Sequence, residues 1–214
     1  MLMDWQTKPT DRFILKWIKV KLSARITPKL IKYKWLSPWQ ITLFSAAVGC
    51  IAGIVFATGH GFLAGCIAVV SQVLDGVDGQ YARITGKQTK GGAFWDSALD
   101  RYSDGFMIIG LTIYLFRLPI PMPRGLLILL GALALIGSNL ISYSTARAQT
   151  LDINLGKPTL ASKGTRFSVM IVCALGSVVL PGMPVIALVY LVLHTNLVII
   201  RRLKLTFNYN NPKR

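Results

Sequence analysis

Apolar positions along the chain fall into six long runs, at about 39–58, 62–83, 93–116, 124–147, 166–181 and 183–200. Short connections rich in Gly and Pro divide them, as in Thr58-Gly59-His60-Gly61 and Pro181-Gly182-Met183-Pro184. Crossing the roughly 30 Å hydrocarbon core of a bilayer takes about 20 mostly apolar helical residues, so runs of this length predict transmembrane helices. Lipid offers no partner to backbone N–H and C=O groups, so the expected fold class is all-α integral membrane, with six transmembrane helices. Ahead of the first run, over residues 10–35, the pattern changes. Ile14, Ile18, Leu22, Ile26 and Leu30 recur every four residues beside Phe13 and Trp17, and Lys16, Lys19, Lys21, Arg25, Lys29 and Lys32 fill the other faces. This predicts a basic amphipathic helix lying in the interface, N-capped by Thr10 or Asp11 and kinked at Pro28. Anchoring to anionic lipid headgroups is one role for it, and framing the mouth of an active site is another. Ser37-Pro38 reads as an N-cap and first-turn proline opening the first span. The expected organisation is a juxtamembrane segment (1–36), a six-helix catalytic domain (37–205) and a polar tail (206–214).

Charge orients these elements. The chain holds 24 Lys and Arg against 8 acidic residues, a net charge of +16. With six spans and both termini on one side, every Lys and Arg except Arg117 and Arg124 falls on that side. This positive-inside bias predicts a multi-pass protein with both termini and the aspartate-rich end in the cytosol; the expected location is the cell membrane of a prokaryote. The same distribution argues against nucleic acid as a partner. Trp5, Trp17, Trp35, Trp39 and Trp95 fall at one interface, as an aromatic belt does. Cys50, Cys66 and Cys173 lie scattered in apolar spans without CxxC spacing and read as reduced packing residues. The first span stands too far from the N-terminus, behind too much charge, to be a cleaved signal peptide. His60, in a loop facing away from the cytosol, and His194, beside Asn196 in the last span, read as interhelical hydrogen-bond partners before ligands.

The acidic residues carry the candidate chemistry. Five of the eight fall between positions 75 and 104, all aspartates, and glutamate is absent from the chain. Carboxylates beside hydrocarbon are costly and are usually paired, metal-bound or functional. Asp75 and Asp78 are three residues apart at the end of the second span, and Asp96, Asp100 and Asp104 follow at intervals of four at the start of the third. Each set shares one helical face. A connection of about ten residues containing Gly86, Gly91 and Gly92 predicts that the two helices are antiparallel neighbours with converging carboxylates. Four carboxylates so close cannot all ionise without cations between them. Oxygen ligands with no His or Cys favour Mg²⁺ or Mn²⁺, and a two-ion site suits phosphoryl transfer. Gly79, Ala82 and Gly92 leave room for a bulky ligand, and Arg83 offers a guanidinium for phosphate. Ordinary helix packing is the competing reading of those small residues taken singly, and it weakens in this combination.

The string Asp75-Gly76-x-Asp78-Gly79-x-x-Ala82-Arg83, eight residues, Gly92, three residues, Asp96, three residues, Asp100 resembles the motif of the CDP-alcohol phosphotransferase family in full. Pro38-x-Gln40-Ile41-Thr42 is similar to that family's opening of the first span. The resemblance implies a reaction: an acceptor hydroxyl attacks the phosphorus distal to cytidine in a CDP-linked alcohol such as CDP-diacylglycerol, and CMP leaves. It implies two Mg²⁺ or Mn²⁺ ions on Asp75, Asp78, Asp96 and Asp100, with Asp100 also the general base. CDP-donor binding would fall to Asp75, Asp78, Gly79, Ala82, Arg83 and Gly92. A homodimer is implied as well. Asp104 lies outside the motif, as a residue orienting the site or a hydrogen-bond partner inside the bundle.

The segments Phe94–Arg101 and Ser142–Gln149 look most like family members that use inositol phosphate. Those enzymes carry a lysine two places after the tyrosine, where this chain has Thr145, and a Glu-Arg pair where it has Ser162-Lys163; Arg166 matches their second Arg. Arg147, Lys163 and Arg166 are the candidate acceptor-phosphate residues, or else plain positive-inside charge. A phosphorylated polyol is the first choice of acceptor; glycerol phosphate, serine and amino alcohols stay open. Intramembrane carboxylates also serve ion and proton transporters, but the chain shows no internal repeat or paired broken spans. A lipid-binding scaffold without catalysis would be expected to have lost the aspartates.

Overall fold

A computed structural model describes residues 14–33, 35–156 and 162–209. These form seven helices and, among the described residues, no strand: α1 (Ile14–Leu30), α2 (Pro38–Ala57), α3 (Gly61–Ile84), α4 (Lys90–Phe116), α5 (Arg124–Thr150), α6 (Lys163–Gly176) and α7 (Pro184–Tyr209). The cap expected at Thr10 or Asp11 lies outside the described residues. Pro28 sits inside the last turns of α1.

Local sequence accounts for the helix boundaries. Ser37 caps α2 ahead of Pro38, and its backbone N–H donates to Gln40 Oε1 at 2.9 Å. Gly86, at φ +64°, turns the chain after α3 in a left-handed conformation that favours glycine. Thr89 then caps α4, accepting from the Gly92 N–H at 2.9 Å. That cap starts α4 three residues before the expected position and shortens the α3–α4 connection accordingly.

Among the described residues, four helices are long and apolar enough to cross a membrane: α2, α3, α5 and residues Pro184–Phe207 of α7. The other two expected spans differ for physical reasons. α4 carries Asp96, Asp100, Arg101 and Asp104 between its start and just past its midpoint. α6 has 14 residues, about 21 Å at 1.5 Å per residue, and gives way to turns at residues 177–179.

The packing corrects one expectation. α3 and α4 are not packed neighbours; α2 lies against both and stands between them. Its small residues permit this. A Cβ on Gly49 would collide with Ser103 of α4 and meet Ser71 Oγ of α3 at 2.9 Å. Gly53 and Gly110 bring the backbones of α2 and α4 together, leaving no room for a side chain at either position. On the other flank, Ser45 Oγ donates to the Ser71 carbonyl (3.0 Å) and Ser71 Oγ to the Ser45 carbonyl (2.9 Å). The main core lies deeper, around Phe56, Met107, Leu111, Phe167, Met170 and Leu191.

α1 also docks differently from its apolar pattern. Val20, Ser23 and Thr27 are its buried stripe, whereas Leu22, Ile26 and Leu30 are only half-buried. Ser23 Oγ donates to the Val73 carbonyl at 2.8 Å, and Thr27 Oγ1 lies 2.9 Å from Gln80 Oε1. Gly76 is the point of contact, since a Cβ there would strike the Ser23 hydroxyl. α1 is therefore docked on α3 beside the first aspartates.

Candidate active site

The aspartates gather at one end of the bundle. Asp75 and Asp78 occupy the last turns of α3, and Asp96 and Asp100 the first turns of α4. One carboxylate oxygen from each of Asp75, Asp78 and Asp96 lies within 4.8 Å of the others. Asp78 is buried, and Asp75, Asp96 and Asp100 are partly so. Because α2 holds α3 and α4 apart, the carboxylates face a shared gap.

Two lysines enter that gap. Lys19 of α1 forms an ion pair with Asp75 Oδ2. Lys163, the first residue of α6, lies 2.9 Å from Asp75 Oδ1 and also bonds Asp100 Oδ1. Lys163 thereby ties Asp100 of α4 to Asp75 of α3. The residues fit a divalent metal: all donors are hard carboxylate oxygens, and none is His or Cys. Their spread also fits, since opposite ligands at about 2.1 Å from Mg²⁺ stand about 4.2 Å apart.

Deeper along α4, Asp104 pairs with Arg166 of α6 at 3.2 Å, both nearly inaccessible to solvent. Asp104 Oδ1 is buried without a hydrogen bond. Nearby on α7, His194 stacks on Tyr190 with ring centroids 5.2 Å apart. His194 Nε2 is buried without the interhelical hydrogen bond expected of it; Asn196 supplies such a bond instead, donating to the Leu133 carbonyl at 3.2 Å. His60 caps α3, with Nδ1 3.1 Å from Thr58 Oγ1.

A model of the CDP-alcohol phosphatidyltransferase family matches residues 35–200. The chain belongs to that family. It is 30% identical over 171 residues to the archaetidylinositol phosphate synthase of Pyrococcus horikoshii, covering 79% of this chain and 86% of that protein. It is 32% identical over 148 residues to the bifunctional IPC transferase and DIPP synthase of Thermococcus kodakarensis, covering 69% of this chain but 32% of that longer protein. The fold matches the crystal structure of Mycobacterium tuberculosis phosphatidylinositol phosphate synthase with CDP-DAG bound, at a TM-score of 0.74 and 23% identity over 86% of this chain and 92% of that one. The same enzyme in complex with manganese and citrate matches at 0.75, covering 86% of this chain and 88% of that one.

Within this family member the remaining predicted site residues separate. Gly79, Ala82 and Arg83 continue α3 past Asp78 and are partly exposed. Gly92 belongs to the α4 cap, where a Cβ would stand 3.0 Å from Thr89 Oγ1. Lys163 and Arg166 both face carboxylates, whereas Arg147 is exposed at the end of α5, 3.4 Å from Thr150 of its own helix. Sequence reasoning passed over two cations. Lys19 was read only as part of a basic face. Arg202 of α7 was counted only as positive-inside charge, yet its Nη1 lies 2.7 Å from the Ile141 carbonyl and 2.9 Å from Thr145 Oγ1. It thus brings a guanidinium to the position where related enzymes were expected to carry a lysine.

Proposed function

We propose that this transferase moves a substituted phosphate from a CDP-linked lipid, such as CDP-diacylglycerol, to a hydroxyl of a phosphorylated polyol, with inositol phosphate the first choice, and releases CMP. The observation that carries this reading is the convergence of Asp75, Asp78 and Asp96 within 4.8 Å, with Asp100 tied in through Lys163. The names of the relatives support the acceptor, because archaetidylinositol phosphate and phosphatidylinositol phosphate synthases recur among them. Glycerol phosphate, serine and other alcohols are the competing acceptors.

Asp75, Asp78, Asp96 and Asp100 would hold two divalent ions, Mg²⁺ or Mn²⁺, whose chemistry is to neutralise the diphosphate and polarise its phosphoryl oxygens. Gly79, Ala82, Arg83 and Gly92 border the nucleotide, with Arg83 meeting phosphate. Asp100 accepts the proton of the attacking hydroxyl; a new P–O bond to the acceptor forms, the P–O bond to CMP breaks, and CMP carries away the electron pair. Lys163, with Arg202 at Thr145 and the exposed Arg147, offers positive charge to the acceptor's phosphate, whereas Arg166 is held by the buried Asp104. All six helices α2–α7 cross the membrane in this reading, α4 with its charged end in the site and α6 extended by the turns that follow it. Two far-end contacts support that arrangement: Tyr114 Oη donates to the Pro181 carbonyl at 3.1 Å, and Gly61 is packed on Ser177. The basic side faces the cytosol.

The test is CMP release by the purified protein with CDP-diacylglycerol and Mg²⁺ or Mn²⁺, against inositol phosphate, glycerol phosphate, serine and inositol in parallel. Release with inositol phosphate well above the other three is expected. Release favouring serine or glycerol phosphate would overturn the acceptor, and no release from any would overturn the reaction.

A further inference from the structure

Lys163 stands where an ammonium and a divalent ion would compete. Ser162 caps α6, with Oγ accepting from the Thr165 N–H at 3.4 Å, and Arg166, Phe167 and Met170 bury the next turns, so the backbone at Lys163 is anchored. From there its ammonium bridges two helices, bonding Asp75 Oδ1 of α3 at 2.9 Å and Asp100 Oδ1 of α4. Lys19 engages the other oxygen of Asp75. Both oxygens of that aspartate are thus engaged by ammonium groups in the cluster whose donor set fits a metal. An ion on Asp75 or Asp100 meets like charge at Lys163 and seeks the same oxygens. Among the described residues, two neighbouring cations differ from it: Arg166 is fixed by the buried Asp104, and Lys19 pairs with Asp75. Lysine, a compact charge on a flexible four-carbon stem, can move where a forked guanidinium would stay.

We propose that Lys163 is an internal counter-cation, holding Asp75 and Asp100 together before metal binds and displaced from them by the divalent ion. The displaced ammonium then stands at the acceptor side of the site, so metal binding and acceptor-phosphate binding favour one another, as linkage requires. This inference rests on the metal-binding reading of the aspartates given above.

The test is Mn²⁺ titration of the purified protein without substrate, followed by the electron paramagnetic resonance of the free ion. Lys163→Met removes the competitor and should tighten Mn²⁺ binding by about tenfold or more, equivalent to about 1.4 kcal/mol, whereas Lys163→Arg should bind no more tightly than wild type. Binding in Lys163→Met equal to or weaker than wild type would overturn the counter-cation role while leaving the metal site standing. Absence of binding in both would overturn the metal reading as well. A second measurement needs no variant: acetic anhydride labelling of Lys163 in the wild-type protein, quantified by mass spectrometry, should rise severalfold when Mn²⁺ is added. Unchanged or reduced labelling would overturn the displacement.

Discussion

Asp104 and Arg166 form a charged pair inside an apolar bundle, and their removal singly or together should have opposite consequences. The atoms are 3.2 Å apart, with side-chain exposure of 7% and 2%. At an effective dielectric of about 20 this separation corresponds to about 5 kcal/mol of attraction. Desolvation offsets much of that gain, so the pair adds little net stability against a well-packed apolar alternative. Removing one partner is different, because it strands a charge in a site built to neutralise it. Arg166→Met or Asp104→Leu alone should therefore cost about 3–5 kcal/mol. The double variant, with no stranded charge, should be more stable than either single one. Equilibrium unfolding in mixed micelles, titrated with a denaturing detergent and followed by tryptophan fluorescence, measures all four corners of the cycle. If the two single losses simply add in the double variant, the pair is not coupled and the reasoning fails.

Other substitutions probe the site and the packing that opens it. Asp100→Asn should lower CMP release by about 10²–10⁴-fold, the usual contribution of a general base, while donor binding by equilibrium dialysis persists; undiminished release would remove Asp100 from that role. Asp78→Asn should weaken Mn²⁺ binding measured on the protein alone, and unchanged affinity would count against the carboxylate centre. Arg202→Gln should raise the acceptor Michaelis constant by about 10–100-fold, as expected for losing a charged hydrogen bond worth about 1.5–3 kcal/mol, and leave the donor's unchanged; equal effects on both substrates would contradict an acceptor role. Gly110→Ala places a Cβ against the Gly53 carbonyl and should destabilise the bundle by about 1–3 kcal/mol in the same unfolding assay; wild-type stability would show that α2 and α4 are not so close.

The helices were legible because apolar runs and Gly–Pro connections record where the chain must satisfy its own backbone. The aspartates were legible because spacings of three and four put side chains on one helical face. Which helices touch was not. Gly49, Gly53 and Gly110 read the same whether they face lipid or another helix, so the placement of α2 between α3 and α4 emerges only in three dimensions. The contact of α1 was hidden for a related reason. Its amphipathic pattern speaks of the interface and not of α3, whose surface offers Gln80, the Val73 carbonyl and Asp75 to Ser23, Thr27 and Lys19. Lys163 and Arg202 reach partners about sixty or more positions away in the chain, and such pairings leave no periodic trace. Positive-inside counting treats Arg202 as equivalent to any other basic side chain at that end, and Lys163 was singled out for an acceptor's phosphate, not for the aspartates it pairs with.

The most direct measurement is mass-spectrometric identification of the lipid formed from CDP-diacylglycerol and inositol phosphate, with CMP quantified in the same reaction. Wild-type protein with Mn²⁺ should yield a phosphorylated inositol lipid and CMP in equal amounts, and neither should form with chelator or in Asp78→Asn. Product formation that survives chelation and the Asp78 substitution would contradict a carboxylate-held metal site as the centre of the chemistry.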